Sequence, residues 1–292
     1  FERRYAGPED TPAAMAEKAA RAAVLDAGLD LADIDAIFVA SLSPDHDFPG
    51  TACFLQDRLG LGGTAAMDIR NQCTGLLYSI ASAEAWIRMG LAKRVLVVGT
   101  EVHSTGLDFS DAGRDVTVLF GDGASALVLG PTDDPARGFL AHALHADGGG
   151  ARDLWLPAPG SAIFPHRAPL SMYEDRSLYP QMNGRSVFKN ACTRLPQVIS
   201  EVLEKAGVTL QEVDLMVPHQ ANMRINEMVA KILGFPQEKV VHNIQRYGNT
   251  TAASIGIALH EARQEGRIVP GSLVLLAAFG SGFTWAASLL RF

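Results

Sequence analysis

The sequence predicts a layered α/β fold built from two related βαβαβ halves, and three observations carry that prediction. Segments with the apolar pattern of buried strands alternate with segments of helical period along most of the 292 residues. The stretch Ala27-Gly28-Leu29-Asp30-Leu31 through Ile34-Asp35 returns as Ala206-Gly207-Val208-Thr209-Leu210 through Val213-Asp214, at a constant offset of 179 (207 minus 28, and 214 minus 35). The elements that follow each copy come in the same order. A duplication of this size relates two halves by a pseudo-twofold axis, which brings equivalent turns close together.

The elements can be justified in turn. Thr11 to Gly28 has helical apolar spacing, and Ile34 to Ala40 reads as a buried strand. Thr51 to Gly60 and its counterpart Met223 to Gly234 read as helices closed by a glycine. Met67 to Tyr78 holds a short strand that gives way to a helix, with Cys73 at the turn. From Gly75 to Met89 the residues Leu76, Leu77, Ile80, Ala83, Trp86, Ile87 and Met89 recur every three or four positions, and Gly90 ends this mostly buried helix. A second elbow is expected near Asn249, followed by a helix ending at Gly266. Each helix leads to a strand, Arg94 to Gly99 and Ser272 to Ala278, and strand pairs at Val116 to Leu129 and Phe283 to Phe292 are expected to close the halves in largely parallel sheets. Asp147 to Gly184 breaks the pattern with three successive glycines and with Pro157, Pro159, Pro165, Pro169 and Pro180, so it reads as a functional cap or a solvated linker. The expected organisation is an N-terminal half over 1–146, an irregular segment over 147–184 and a C-terminal half over 185–292.

Composition bounds the function. A hydrophobic content of 48% supports a substantial core. The net charge of -7, with no block of Lys and Arg, argues against nucleic acid as the main partner. Cys53, Cys73 and Cys192 are too few and too scattered for a disulfide framework or a zinc site, so a reducing cytoplasm is the expected compartment. No apolar run approaches the roughly 18 residues of a membrane span, and no membrane partner is expected. The sequence starts at Phe1 rather than methionine, and a preceding segment is expected to be missing.

Three residues suggest chemistry. At a helix N-terminus Cys73 would meet unpaired N–H groups and the positive end of the macrodipole, which favour a thiolate able to attack a thioester. It reads equally well as a small buried hydrophobe. His219 falls just beyond the strand Leu215-Met216-Val217-Pro218, and Asn249 lies at the second elbow. Alone, the first reads as structural and the second as a helix cap; together with Cys73 they supply a nucleophile and two hydrogen-bond donors.

Four motifs in order, His219-Gln220-Ala221-Asn222-Met223-Arg224-Ile225, Tyr247-Gly248-Asn249-Thr250-Thr251-Ala252-Ala253-Ser254, Phe120-Gly121-Asp122-Gly123-Ala124 and Ala278-Phe279-Gly280-Ser281-Gly282-Phe283-Thr284-Trp285, make the chain resemble the β-ketoacyl-acyl carrier protein synthase III family across its whole length. The resemblance implies a thiolase-like fold, with an αβαβα layered core, and a Cys-His-Asn triad of Cys73, His219 and Asn249. It implies that Cys73 takes an acyl group from acyl-coenzyme A, with the N–H groups of Cys73 and Gly282 as the oxyanion hole. His219 and Asn249 would then stabilise the enolate formed when malonyl-acyl carrier protein loses carbon dioxide; losing one such donor typically costs about 10²–10³ in rate. Asn249 stands where elongating synthases resemble this layout but carry a second histidine, and the glycine loop 280–282 lacks the additional cysteine of thiolases. Both features imply the decarboxylating, coenzyme A-primed class.

Other implied roles follow the same matches. Asn222 and Arg224 match positions near the phosphopantetheine arm and carrier-docking surface, Arg114 a coenzyme A contact, and Phe48 a residue that crosses a homodimer interface into the partner's acyl pocket. Without the resemblance these read as a cap, surface charges and loop packing. Phe120-Gly121-Asp122-Gly123 reads as a structural turn near the dimer interface rather than a nucleotide loop. No cofactor is implied beyond the coenzyme A thioester and the phosphopantetheine-borne substrate. Asn71, Gln72, Leu76 and Ser281 depart from the family's usual residues, and the family's first strand would precede Phe1. Leu76 and the 147–184 segment are expected to shape a pocket for a primer longer than acetyl. The competing readings are an acyltransferase that passes its acyl group to an alcohol or amine, and a non-catalytic scaffold subunit; a scaffold requires none of Cys73, His219 and Asn249.

Overall fold

The computed structural model describes residues 2–292; Phe1 lies outside them. In the first half the order is α1 (Pro12–Asp26), β1 (Ala36–Ala40), α2 (Thr51–Arg58), β2 (Ala65–Ile69), α3 (Gly75–Arg88), β3 (Val95–Glu101), the one-turn α4 (Arg114–Thr117) and β4 (Gly123–Leu129). Next come β5 (Gly138–Ala146), β6 (Leu154–Trp155), α5 (Ser171–Glu174) and β7 (Gln181–Met182). The second half adds α6 (Gly184–Ala206), β8 (Leu215–Pro218), α7 (Met223–Leu233), α8 (Ile244–Tyr247), α9 (Ser254–Gln264), β9 (Leu273–Gly280) and β10 (Thr284–Arg291).

Two four-stranded sheets result, in the orders β2-β1-β3-β4 and β5-β10-β9-β8. The pairs β1–β2, β1–β3 and β8–β9 are parallel, while β3–β4, β9–β10 and β10–β5 are antiparallel. Largely parallel sheets were expected; the edge strand β4 in the first sheet and the inner strand β10 in the second run against their neighbours and make both sheets mixed. Val116 to Leu129 is not a strand pair, because Arg114–Thr117 is helical and only β4 is extended. The boundary at 146 also shifts: β5, inside the expected N-terminal half, pairs with β10 along Ala146–Thr284 to Gly138–Arg291 and belongs to the second sheet.

Strand alternation sorts the core into layers. Ile37, Val39, Leu96 and Val98 face α1 and α2, whereas Ala36, Phe38, Val95 and Val97 face a middle layer that also holds Leu77 and Ile80 of α3 and Ile255 and Leu259 of α9. Val217, Val274 and Leu276 close that layer from the second sheet, and Met216, Leu273 and Leu275 turn to α6 and α7. The order helix, sheet, helix, sheet, helix is the αβαβα core. All of β1 and β9 is buried, as strands covered on both faces must be.

The offset of 179 recurs in the geometry. Gly28 and Gly207 adopt φ of 66° and 65°, the left-handed turn after a helix that glycine adopts without a Cβ penalty. Asp30 with Asp33 and Thr209 with Glu212 form equivalent capping boxes. The carboxylates of Asp35 and Asp214 each accept a backbone N–H at the start of the neighbouring strand, from Arg94 and Leu273. No helix among the described residues is long and apolar enough to cross a membrane.

Candidate active site

The two elbows meet between the sheets. Each is a 3₁₀ turn, Gln72–Thr74 and Thr251–Ala253, that feeds a central helix. Gln72 and Thr251, again 179 apart (251 minus 72), enter their turns at φ of 46° and 44°. Non-glycine residues seldom adopt such angles, and a β-branched threonine least of all, so both turns are held by their surroundings. At the first elbow Thr74 Oγ1 lies 2.8 Å from Thr284 Oγ1 and bonds the Asn71 carbonyl at 2.9 Å. Cys73 is thereby fixed against β9, where a Cβ on Gly280 would come within 2.6 Å of Cys73 Cβ and 3.0 Å of Sγ.

Cys73, His219 and Asn249, all buried, line one cavity of about 130 Å³. His219 follows β8; its Nδ1 is 2.6 Å from Ser254 Oγ, and its Nε2 has no partner among the described residues. Ser254 Oγ also accepts from the Gln220 N–H at 3.4 Å, which leaves the hydroxyl proton for Nδ1 and assigns the ring proton to Nε2. Burial pushes His219 down to about 3, with His103 adding to the effect, so the ring is a neutral donor. Asn249 Oδ1 accepts the Thr251 N–H at 2.9 Å, which leaves the Asn249 Nδ2 donors for the cavity.

The Cys73 thiol departs from expectation. Burial, and then the charge of Glu101, push it up to about 12, while the Ser281 N–H and its own N–H pull it down. Loss of solvent outweighs the favourable end of α3, and the resting group is a thiol. The backbone N–H that reaches this sulfur is that of Ser281 rather than that of Gly282, the residue expected to supply the second oxyanion donor.

The other candidates divide. Asn222 lines the cavity while its Oδ1 caps α7 through the Arg224 N–H at 3.0 Å. Arg224 lies outside, exposed in an open groove with Lys231 and His242 that shares Phe188 with the cavity. Arg114 is exposed on α4 and is not part of the cavity wall, although Leu119 and Phe120, a few residues on, are. Phe48 is 81% exposed at a loop tip. Leu76 is fully buried in the middle core layer, away from the cavity, so it does not shape the pocket. The 147–184 segment contributes Leu154, Met182 and Gly184 to the wall. Phe120-Gly121-Asp122-Gly123 is a structural turn: Asp122 accepts the N–H groups of Ala6 and His103 at 2.7 Å. Sequence reasoning missed the wall supplied by α6 (Val187, Phe188, Ala191 and Leu195) because the apolar face of a helix looks the same whether it meets core or cavity.

Over 290 residues the chain is 44% identical to the β-ketoacyl-[acyl-carrier-protein] synthase III of Thioalkalivibrio sulfidiphilus, spanning 99% of this chain and 87% of that one. The chain belongs to the β-ketoacyl-[acyl-carrier-protein] synthase III family. The family profile for 3-oxoacyl-[acyl-carrier-protein] synthase III matches residues 67–148, and that for the C-terminal part of synthase III matches 203–292. The crystal structure of the Aquifex aeolicus synthase III, 43% identical, superposes with a TM-score of 0.89 over 99% of this chain and 87% of that chain. A priming β-ketosynthase from a polyketide biosynthetic pathway, 32% identical, gives 0.88 over 99% of this chain and 84% of that one. The fold is therefore the thiolase-like fold of synthase III enzymes, and both elbows fall inside matched regions.

Proposed function

We propose that this synthase III condenses an acyl-coenzyme A primer with malonyl-acyl carrier protein, releasing carbon dioxide and giving β-ketoacyl-acyl carrier protein at the start of fatty acid or related polyketide synthesis. The observation that carries this reading is one cavity in which a thiol, an imidazole and an amide converge, the imidazole with its Nε2 unpartnered among the described residues and the amide with its Oδ1 held by the Thr251 N–H. Cys73 sulfur attacks the thioester carbonyl, the Cys73 and Gly282 N–H groups take the developing oxyanion, and coenzyme A leaves as the thiol with the proton that Cys73 gives up. Malonyl-acyl carrier protein then enters. Its carboxylate leaves as carbon dioxide, and the bonding pair moves into a thioester enolate whose oxygen meets His219 Nε2–H and Asn249 Nδ2–H. The enolate carbon attacks acyl-Cys73 and expels the thiolate, which regains a proton.

Two neutral donors suit this step, since they stabilise charge only when the enolate appears. A carboxylate reactant also enters more easily where no second anion waits, and when malonyl-acyl carrier protein arrives the Cys73 sulfur is a neutral thioester. The narrow, mostly apolar cavity suits a pantetheine arm, and the groove with Arg224 and Lys231 suits an acidic carrier protein docking on a chain of net charge -7. Both acyl carriers arrive as substrates, and no resident cofactor takes part. We place the enzyme in the cytoplasm as a homodimer, a reading supported by three free cysteines and by the edge strand β4.

Intact-protein mass after incubation with a ladder of acyl-coenzyme A thioesters tests the proposal. The expected result is an acyl adduct absent from Cys73→Ala and discharged by malonyl-acyl carrier protein into a β-ketoacyl product. An adduct that malonyl-acyl carrier protein leaves untouched would refute condensation in favour of acyl transfer to another acceptor.

A further inference from the structure

Beyond the end of β3 lies a second buried histidine that the chemistry above does not use. His103 is 7% exposed, and its ring packs on Phe120 of the cavity wall with centroids 4.7 Å apart. Asp122 holds its backbone N–H at 2.7 Å, and its Nε2 lies 2.7 Å from Thr251 Oγ1. Thr251 is the residue at φ 44°, and its N–H is the donor to Asn249 Oδ1. An unbroken line of contacts therefore runs from the imidazole through one strained residue to the cavity amide. Glu101 Oε1 supports the same turn from the next residue, accepting the Ala252 N–H at 3.4 Å.

The direction of the Asn249 amide matters chemically. With Oδ1 bound to Thr251, Nδ2–H is presented to the cavity; reversed, the amide would place a carbonyl oxygen beside the enolate and repel it. A threonine seldom holds left-handed backbone, so the turn depends on the contacts around it. Burial pushes His103 down to about 4 against the opposing charge of Asp122. The ring thus bonds Thr251 without adding a cation near the thioester site.

We propose that His103 is a positioning residue for decarboxylation: through Thr251 it fixes the Asn249 amide with Nδ2 toward the cavity, and it leaves acyl transfer to Cys73 untouched. The proposal rests on the role given to Asn249 under the proposed function. His103→Leu keeps an apolar filler but removes the bond. His103→Gln offers an amide in place of the ring nitrogen, and Thr251→Val removes the hydroxyl with little change of shape.

The two half-reactions are measured separately, as acyl-Cys73 formation by intact mass and carbon dioxide release from malonyl-acyl carrier protein. For His103→Leu and Thr251→Val we expect kcat for decarboxylation to fall at least about 10-fold, within the roughly 10²–10³ that loss of a whole donor costs. We expect KM for malonyl-acyl carrier protein and the acylation rate to stay within a factor of about 3 of wild type, and His103→Gln to recover most of the loss. Equal losses in both half-reactions, or none in either, would overturn the proposal. A neutron crystal structure of His103→Leu, which tells the amide nitrogen from the oxygen, decides independently of turnover: a reversed, displaced or doubly populated Asn249 amide supports it, and one unmoved with Nδ2 still toward the cavity ends it. A wild-type enzyme without either half-reaction would instead defeat the proposed function.

Discussion

Glu101 shows what one buried group does to both stability and chemistry. It is fully buried at the end of β3, accepts the Leu42 and Ser43 N–H groups and the Ser43 hydroxyl, and burial pushes it up to about 7 despite these bonds. The folded protein keeps this proton where the unfolded chain has already lost it. The corresponding stability is present below about pH 4.5 and is lost as pH rises through about 7, amounting to about 3 kcal/mol by pH 8. His103 and His219 act oppositely, because their depressed values withdraw stability as pH falls below 6.5. Glu101→Gln should therefore lose less stability than wild type between pH 5 and pH 8 in urea melts, the histidine contributions cancelling in the difference; parallel pH profiles would contradict this. Gly280→Ala is a sharper test of geometry. The new Cβ meets Cys73 from a central strand that cannot move aside, so acyl-Cys73 formation should fall about 100-fold or more in an enzyme that still folds. Unchanged acylation would mean that the elbow has more room than the structure shows.

Among elements, the elbows were the most legible and the cavity wall the least. A strand, a polar turn and a helix of small and apolar residues announce an elbow in any sequence, and the glycines that end α1, α6 and α7 are visible without coordinates. The helix α6 was legible as amphipathic, yet nothing in its period says that Ala191 borders a cavity rather than a neighbour's side chain. Ala191→Phe should place a ring in a space of about 130 Å³ and raise KM for acyl-coenzyme A at least about 10-fold, with Tm within a few degrees of wild type. An unaltered KM with an intact fold would show that the substrate arm takes another route.

For the whole molecule, the sheet order leaves β4 at an edge of the first sheet, and exposed apolar side chains include Tyr5, Phe48, Phe109 and Val118. A homodimer covering this surface should sediment at about twice 31.1 kDa, whereas a monomer at micromolar concentration would remove the basis for Phe48 acting across an interface. The same scale explains where β5 was misplaced. Reading along the chain assigns a strand to the half it follows, but β5 finds its partner in β10, some 140 residues later, and α6 covers both.

By itself the sequence determined the alternation of elements, the duplication at an offset of 179 and the order of the four motifs, because periodicity, glycine turns and side-chain chemistry are local properties, and through its family resemblance it pointed to Cys73, His219 and Asn249 as the candidate triad. Only the tertiary structure decided the protonation of Cys73, the donor from Ser281, the removal of Leu76 from the pocket and the line from His103 to Asn249. The charge state of a thiol depends on how much water and which charges surround it, and a backbone N–H carries no trace of itself in residue type. Those quantities come into being when strands from distant parts of the chain close over the site.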